Sequence, residues 1–353
     1  MKNIITVVGA RPNFMKVAPL LRLLDSNINF NSLLVHTGQH YDHKMSDVFF
    51  NELEIRKPDF NLDVGSASHA QQTSKIMLGF EELCIQHSPE LVIVVGDVNS
   101  TVACSLVAKK LNIRVAHIEA GLRSNDRNMP EEINRIVTDS ISDYFFVTEQ
   151  SGVDNLNSEG KIDNVYFIGN LMIDSLHFGL KKIKNRKTFF EKNYGLVTLH
   201  RPSNVDNVQK LKQILEALEI ISEELPLFFS IHPRTQNIIE HNNIEFSKNI
   251  NILKPQPYLS FLHIMRDAKL VFTDSGGIQE ETTALKKRCF TIRENTERPI
   301  TLLEGSNVLA GTSKKSILNN YKSNKQKSKE FKIPKFWDGK SSSRLIKILE
   351  EII

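Results

Sequence analysis

The chain reads as two doubly wound α/β domains, and three features say so. Short apolar runs alternate with amphipathic stretches from end to end. The series begins twice. The length, 353 residues, suits two domains of roughly 150 residues each. Continuous apolar strands separated by helices mean parallel sheets covered on both faces.

The first series predicts strands at 4–8, 32–36, 91–95, 115–118 and 144–147, with helical patterns at 99–111 and 131–141 among them. The second predicts strands at 194–199, 227–231, 270–273 and 288–292. The expected division is residues 1–170 for the first domain and 171–335 for the second, with 336–353 as a terminal helix. That helix ends in Leu349, Ile352 and Ile353, so it needs an apolar partner and is expected to pack back on the first domain. The basic run 180–187 reads as a solvated helix face near a linker, and the tract 322–332 as polar surface.

Apolar residues make up 40% and charged residues 24%, which excludes a disordered or collagen-like chain. No apolar run approaches the ~20 residues that cross a bilayer. Lys+Arg 45 against Asp+Glu 41 leaves a net charge of +4, which does not argue for nucleic acid. Cys84, Cys104 and Cys289 are odd in number and show no CxxC spacing, against a disulfide framework or zinc cage. The start, Met1 to Val8, reads as a strand and not a signal peptide, so a reducing cytoplasm is expected.

Ligands of doubly wound sheets bind beyond the carboxyl ends of strands, so the residues just after each strand matter most. After the first strand stands Gly9-Ala10-Arg11-Pro12 with Lys16 further on. This is not the GxGxxG of dinucleotide sites. Arg11 and Lys16 either face an anion across a helix N-terminus or serve as loop cap and solvated lysine. Gly96-Asp97 and Glu119-Ala120-Gly121-Leu122-Arg123 follow the strands at 91–95 and 115–118. Pro130-Glu131-Glu132-Ile133-Asn134-Arg135 opens a helix, where Glu131 and Arg135 are i,i+4 neighbours able to pair. Each carboxylate suits capping or pairing; three near one crevice suit acid–base work. In the second half, His200-Arg201-Pro202, His232-Pro233-Arg234 and Asp274-Ser275-Gly276-Gly277 end strands. The Ser-Gly-Gly turn lets backbone N–H groups approach a pyrophosphate, and Glu281 lies one to two turns on, suited to ribose hydroxyls. His36, His40 and His43 invite a metal, but they lie across a strand end and a loop, and loop histidines are the plainer reading. No metal and no cofactor are expected.

These strings, with Thr296-Glu297-Arg298-Pro299, resemble the non-hydrolysing UDP-N-acetylglucosamine 2-epimerases, in family order from residue 4 to about 340. Hydrolysing relatives begin GlySerArgAlaGluTyr in place of Gly9-Ala10-Arg11-Pro12. The resemblance implies a GT-B-like pair of Rossmann-like domains facing a cleft. It implies reversible conversion of UDP-N-acetylglucosamine to UDP-N-acetylmannosamine, for cell-surface polysaccharide. Asp97, Glu119 and Glu131 match its catalytic carboxylates, Lys16 an active-site lysine and His200 the phosphate-contacting histidine. Arg11 and Ser275, with Gly276 and Gly277, match diphosphate contacts, and Glu281 the ribose contact. Arg123, Arg135, Arg201 and Arg298 are carried over as substrate-binding. The partners so implied are a UDP-sugar and a second copy in a homodimer, with no nucleic acid and no membrane.

Two departures stand out. Gln39-His40-Tyr41-Asp42-His43-Lys44-Met45 lacks the second Gln of the family's activator site. The chain is also shorter than many members, and close relatives act on UDP-2,3-diacetamido sugar acids. The alternatives are therefore a 2-epimerase of such a sugar, a GT-B glycosyltransferase, or a non-catalytic UDP-sugar-binding module.

Overall fold

β1 (Lys2–Val8) is buried from Ile4 onward and runs parallel between β2 (Phe30–His36) and β4 (Leu91–Val95). Buried on both faces, these strands can be apolar throughout. The structure is a computed structural model; it describes all residues except 39–47, 49, 192, 246–247 and 326–330, and not the side chain of Arg11. The chain divides into two compact units, Met1–Phe178 with Lys335–Ile353, and Gly179–Pro334. The division falls inside the helix Leu171–Lys182.

The first unit holds a seven-stranded parallel sheet in the order β3-β2-β1-β4-β5-β6-β7. Its further strands are β3 (Phe60–Asn61), β5 (Arg114–Ile118), β6 (Tyr144–Val147) and β7 (Val165–Phe167). The winding reverses between β1 and β4, and such a switch point opens a crevice at the carboxyl ends. One face of the sheet packs Val7, Val92, Val94 and Val115 against Ile76, Phe80 and Val107. The helix Ser341–Ile352 lies against the helix Arg11–Asp25 of the same unit. Asp174 caps it from afar, accepting from Ser341 N at 3.1 Å and Ser342 N at 2.8 Å. Buried Trp337 donates to the Thr148 carbonyl at 3.1 Å.

The second unit repeats the plan with six parallel strands, β10-β9-β8-β11-β12-β13. They are β8 (Gly195–Thr198), β9 (Leu227–Ser230), β10 (Ile250–Leu253), β11 (Leu270–Thr273), β12 (Arg288–Thr291) and β13 (Asn307–Leu309). Here the switch lies between β8 and β11. Val197, Phe229, Phe272 and Phe290 pack with Leu211, Leu218 and Ile317 from covering helices.

Cys84, Cys104 and Cys289 are buried free thiols. No helix among the described residues is long and apolar enough to cross a membrane.

Candidate active site

In the first unit the turn after β1 is fixed by one side chain. Asn13 Oδ1 accepts from Gly9 N at 3.2 Å and Ala10 N at 3.0 Å, while Nδ2 donates to the Val95 carbonyl at 3.3 Å. The start of the helix Arg11–Asp25 is thereby tied to the end of β4. One turn on, Lys16 Nζ lies 2.5 Å from Glu119 Oε2. Glu119 is the first residue after β5, buried, with φ +70°. A non-glycine residue there costs roughly 1–2 kcal/mol; the N–H groups of Glu119 and Ala120, both donating to Phe146 O at 3.0 and 3.3 Å, hold it. At the end of β4, Gly96 has φ +71°, and a Cβ on it would stand 3.4 Å from each of Asn13 Nδ2, Glu119 Oε2 and Lys16 Nζ. The switch point of this sheet thus gathers Lys16, Gly96 and Glu119.

Asp97 is held from the side. Buried Arg135, on the helix Pro130–Ile141, donates to Asp97 Oδ2 through Nη2 and to Glu132 Oε2 through Nη1. Asn134 Nδ2 donates to the Asp97 carbonyl at 2.9 Å. Glu132 also accepts from Ser124 N, Ser124 Oγ and Asn125 N, each at 2.9 Å. Burial would raise its carboxyl, but these donors and Arg135 bring it below its ordinary value. Glu131 stands exposed in the first helical turn. The i,i+4 pairing open to Glu131 and Arg135 gives way to Glu132 because the helix turns its buried face, with 132, 135 and 139, inward.

Arg123 is bound on all sides within the first unit. Its Nη1 donates to Leu122 O at 2.7 Å and lies 2.7 Å from Asp139 Oδ2, and Nε and Nη2 reach Glu159 at 2.8 Å. With every nitrogen engaged inside the unit, it braces the loop after β5. Arg135 likewise directs its guanidinium at Asp97 and Glu132. Arg11 begins its helix, and its side chain lies outside what is described, as do His40, His43 and the whole Gln39–Met45 string. His36 is buried and its Nδ1 faces Asn61 Oδ1 at 3.2 Å. No metal-ligand cluster occurs among the described residues.

In the second unit one buried carboxylate organises the switch point. Asp274 accepts from His200 N at 3.1 Å, Arg201 N at 3.0 Å and Asn204 Nδ2 at 3.2 Å, and lies 3.2 Å from His200 Nδ1. Burial would raise Asp274, but His200 and the backbone donors win and lower it. With Nδ1 so engaged, Nε2 of the partly exposed His200 is the nitrogen left for a ligand. Ser275-Gly276-Gly277 opens the helix Gly276–Ala284, and a Cβ on Gly276 would stand 2.9 Å from Glu297 Oε1. Arg201 Nη2 bonds that same oxygen at 3.1 Å, and Arg293 Nη1 lies 2.7 Å from Oε2. Burial alone would raise Glu297; Arg201, Arg293 and Arg298 overcome it and bring the carboxyl down to about 2. Arg298 Nε pairs with Glu280 at 2.8 Å. Glu281 is buried, accepts from Tyr258 OH at 3.0 Å, and is raised by burial to about 7.

The family model for UDP-N-acetylglucosamine 2-epimerase matches residues 22–350. The chain belongs to the UDP-N-acetylglucosamine 2-epimerase family. A member from Methanocaldococcus jannaschii, named UDP-N-acetylglucosamine 2-epimerase, is 42% identical over 97% of each chain. A crystal structure from that organism, in complex with UDP-GlcNAc and UDP, matches with a TM-score of 0.91 at 40% identity, covering 99% of this chain and 100% of that one. A Pseudomonas aeruginosa relative, named UDP-2,3-diacetamido-2,3-dideoxy-D-glucuronate 2-epimerase, is 36% identical over 99% of this chain and all of its own. The epimerase fold of two Rossmann-like domains is thus the fold of this chain.

Four residues that organise the site carry no assigned role in the sequence reading: Asn13 and Asp139, and Glu132 and Asp274, which stand there only as parts of longer strings. Asn13, three residues after the helix N-cap, carried a signal, because a side-chain acceptor there can reach back to N-terminal amides. Asp139 and Glu132 look like ordinary polar positions of an amphipathic helix, and nothing local marks them.

Proposed function

We propose that the protein interconverts UDP-N-acetylglucosamine and UDP-N-acetylmannosamine by eliminating UDP and adding it back. The observation that carries this reading is the carboxylate cluster, Asp97 and Glu119 with Lys16 at the switch point of one sheet. It is accompanied by the Asp274-anchored His200-Arg201 loop and Ser275–Gly277 turn at the switch point of the other.

C2 of the sugar has no adjacent carbonyl, so its proton is not acidic in the ground state. Breaking C1–O first places positive charge on C1 and makes that proton removable. The C1–O electron pair leaves with UDP, the C2–H pair becomes the C1–C2 double bond of a glycal, and a carboxylate takes the proton. A proton then returns to the other face of C2 and UDP re-adds at C1. In this assignment Asp97, Glu119 and Glu131 serve the sugar, with Lys16 holding Glu119. His200, Arg201 and the Ser275–Gly277 amides take the charge on departing UDP, Arg298 stands beside them, and Glu281 receives the ribose hydroxyls. Each acid–base step contributes ~10²–10⁴-fold. We place the reaction in the cytoplasm and, as the family resemblance implies, the enzyme in a homodimer.

The diacetamido uronate sugar is the second reading, favoured by the Pseudomonas relative. Incubating the purified protein with a panel of UDP-amino sugars separates the two: the reading expects UDP-N-acetylmannosamine from UDP-N-acetylglucosamine, and turnover of the uronate alone would overturn it.

A further inference from the structure

His117 sits in the middle of β5 with no exposure to solvent. Its Nε2 lies 2.8 Å from the Gly96 carbonyl, and its Nδ1 lies 2.6 Å from Asp139 Oδ1. A carbonyl only accepts, so Nε2 donates. The other oxygen of Asp139 accepts from Gly121 N at 3.0 Å and lies 2.7 Å from Arg123 Nη1. Arg123 in turn pairs with Glu159. One fully buried side chain therefore joins the end of β4 to the end of β5 and to the helix Pro130–Ile141.

The backbone it grips is unusual. Gly96, Glu119 and Gly121 all have positive φ, at 71°, 70° and 78°. Gly96 immediately precedes Asp97, and Glu119 lies two residues beyond His117. Gly121 has its own fit, since a Cβ there would stand 2.2 Å from Gly152 O. A strained conformation persists only where its surroundings over-determine it. His117 holds the Gly96 carbonyl, and Asp139 holds the Gly121 amide, on either side of the two carboxylates.

We propose that His117 is a positioning residue of this enzyme: bonded to the Gly96 carbonyl and to Asp139, it fixes the two strand ends that aim Asp97 and Glu119. It touches no substrate, and the proposal rests on the epimerase reading above. A displacement near 1 Å of a catalytic group can cost ~10²-fold in rate, so the pin acts on kcat.

The test compares His117→Gln with His117→Asn. A glutamine amide reaches the place of Nε2 and still donates to Gly96, whereas an asparagine amide reaches only the place of Nδ1 and leaves that carbonyl unmet. Kinetics are read well below the melting temperature of each variant, with active molecules counted by UDP titration. The expected result is a ~10²-fold loss of kcat in His117→Asn, KM and UDP affinity within about threefold, and recovery of most of the kcat in His117→Gln. A histidine that merely fills the core would lower the melting temperature and leave kcat per folded molecule intact; that result overturns the proposal. So does an equal kcat loss in both variants, or a loss in KM alone. Should His117→Asn not fold, Asp139→Asn, which loosens His117 and the Gly121 amide, is expected to lower kcat with UDP affinity kept, and an unimpaired kcat there overturns the proposal. Wild-type protein silent on every UDP-amino sugar would overturn the epimerase reading; active wild type with unimpaired His117→Asn would overturn only the positioning role.

Discussion

Lys16 and Glu119 reach each other from the ends of different strands, Nζ to Oε2 at 2.5 Å, with side chains only 12% and 4% exposed. The contact sets an ammonium against a carboxylate whose backbone is held at φ +70° by the amide hydrogen bonds to Phe146 O. Glu119→Gln is expected to lower kcat by ~10²–10⁴-fold while UDP affinity stays within about threefold. Lys16→Met takes the ammonium away from the buried carboxylate, and is expected to cost stability as well, up to about 3–5 kcal/mol. Steady-state kinetics, UDP titration and chemical denaturation check the pair.

Glu131 gives the opposite contrast. It is exposed in the first turn of its helix, so Glu131→Gln is expected to leave stability within about 0.5 kcal/mol and still lower kcat by ~10²-fold or more. A melting curve and a rate measurement on one preparation suffice. An unchanged rate would remove Glu131 from the catalytic set.

Arg135→Met is expected to act through both of its partners. Glu132 would be left buried without its guanidinium partner, at a cost of up to about 3–5 kcal/mol, and Asp97 would lose the Arg135 bond. Denaturation would report the first and kcat the second. Arg135→Lys, with a point charge in place of a fork, is expected to restore more of the stability than of the rate.

Glu281 predicts a pH dependence. Burial raises its carboxyl from an ordinary 4.5 to about 7, the Tyr258 hydroxyl opposing. Between those values the folded chain keeps a proton that the unfolded chain has lost, so stability falls as pH rises through this window. Glu281→Gln removes that cost. The variant is expected to match wild type near pH 4 and to exceed it at pH 8, by ~3 kcal/mol at most. UDP, whose ribose hydroxyls favour the carboxylate, should narrow the difference. Its affinity for the variant is expected to fall roughly 10-fold, about 1.4 kcal/mol, as measured by calorimetry.

Much of the fold was legible because central parallel strands must be apolar throughout. Residues 91–95, 144–147 and 270–273 were read at the bounds they have. β3, β7, β10 and β13 were not, since outer strands are half-exposed and short; Ile250–Leu253 alternates too weakly to stand out. The strand-end glycines and the polar residues after them announced the site. What remained hidden was partner choice. A helix turns by 100° per residue, so whether Glu131 or Glu132 meets Arg135 depends on which face packs inward, which is a tertiary fact. Arg123 looks from its string like a ligand contact, and only the fold supplies Asp139 and Glu159 to occupy it.

The most direct test follows the C2 proton. UDP-N-acetylglucosamine incubated with the wild-type protein in heavy water should acquire one deuterium at C2 in both epimers, with free UDP and glycal detectable at low level. Asp97→Asn and Glu119→Gln should slow this wash-in together with epimerisation. Epimer formed with the original C2 hydrogen retained would contradict elimination and re-addition outright.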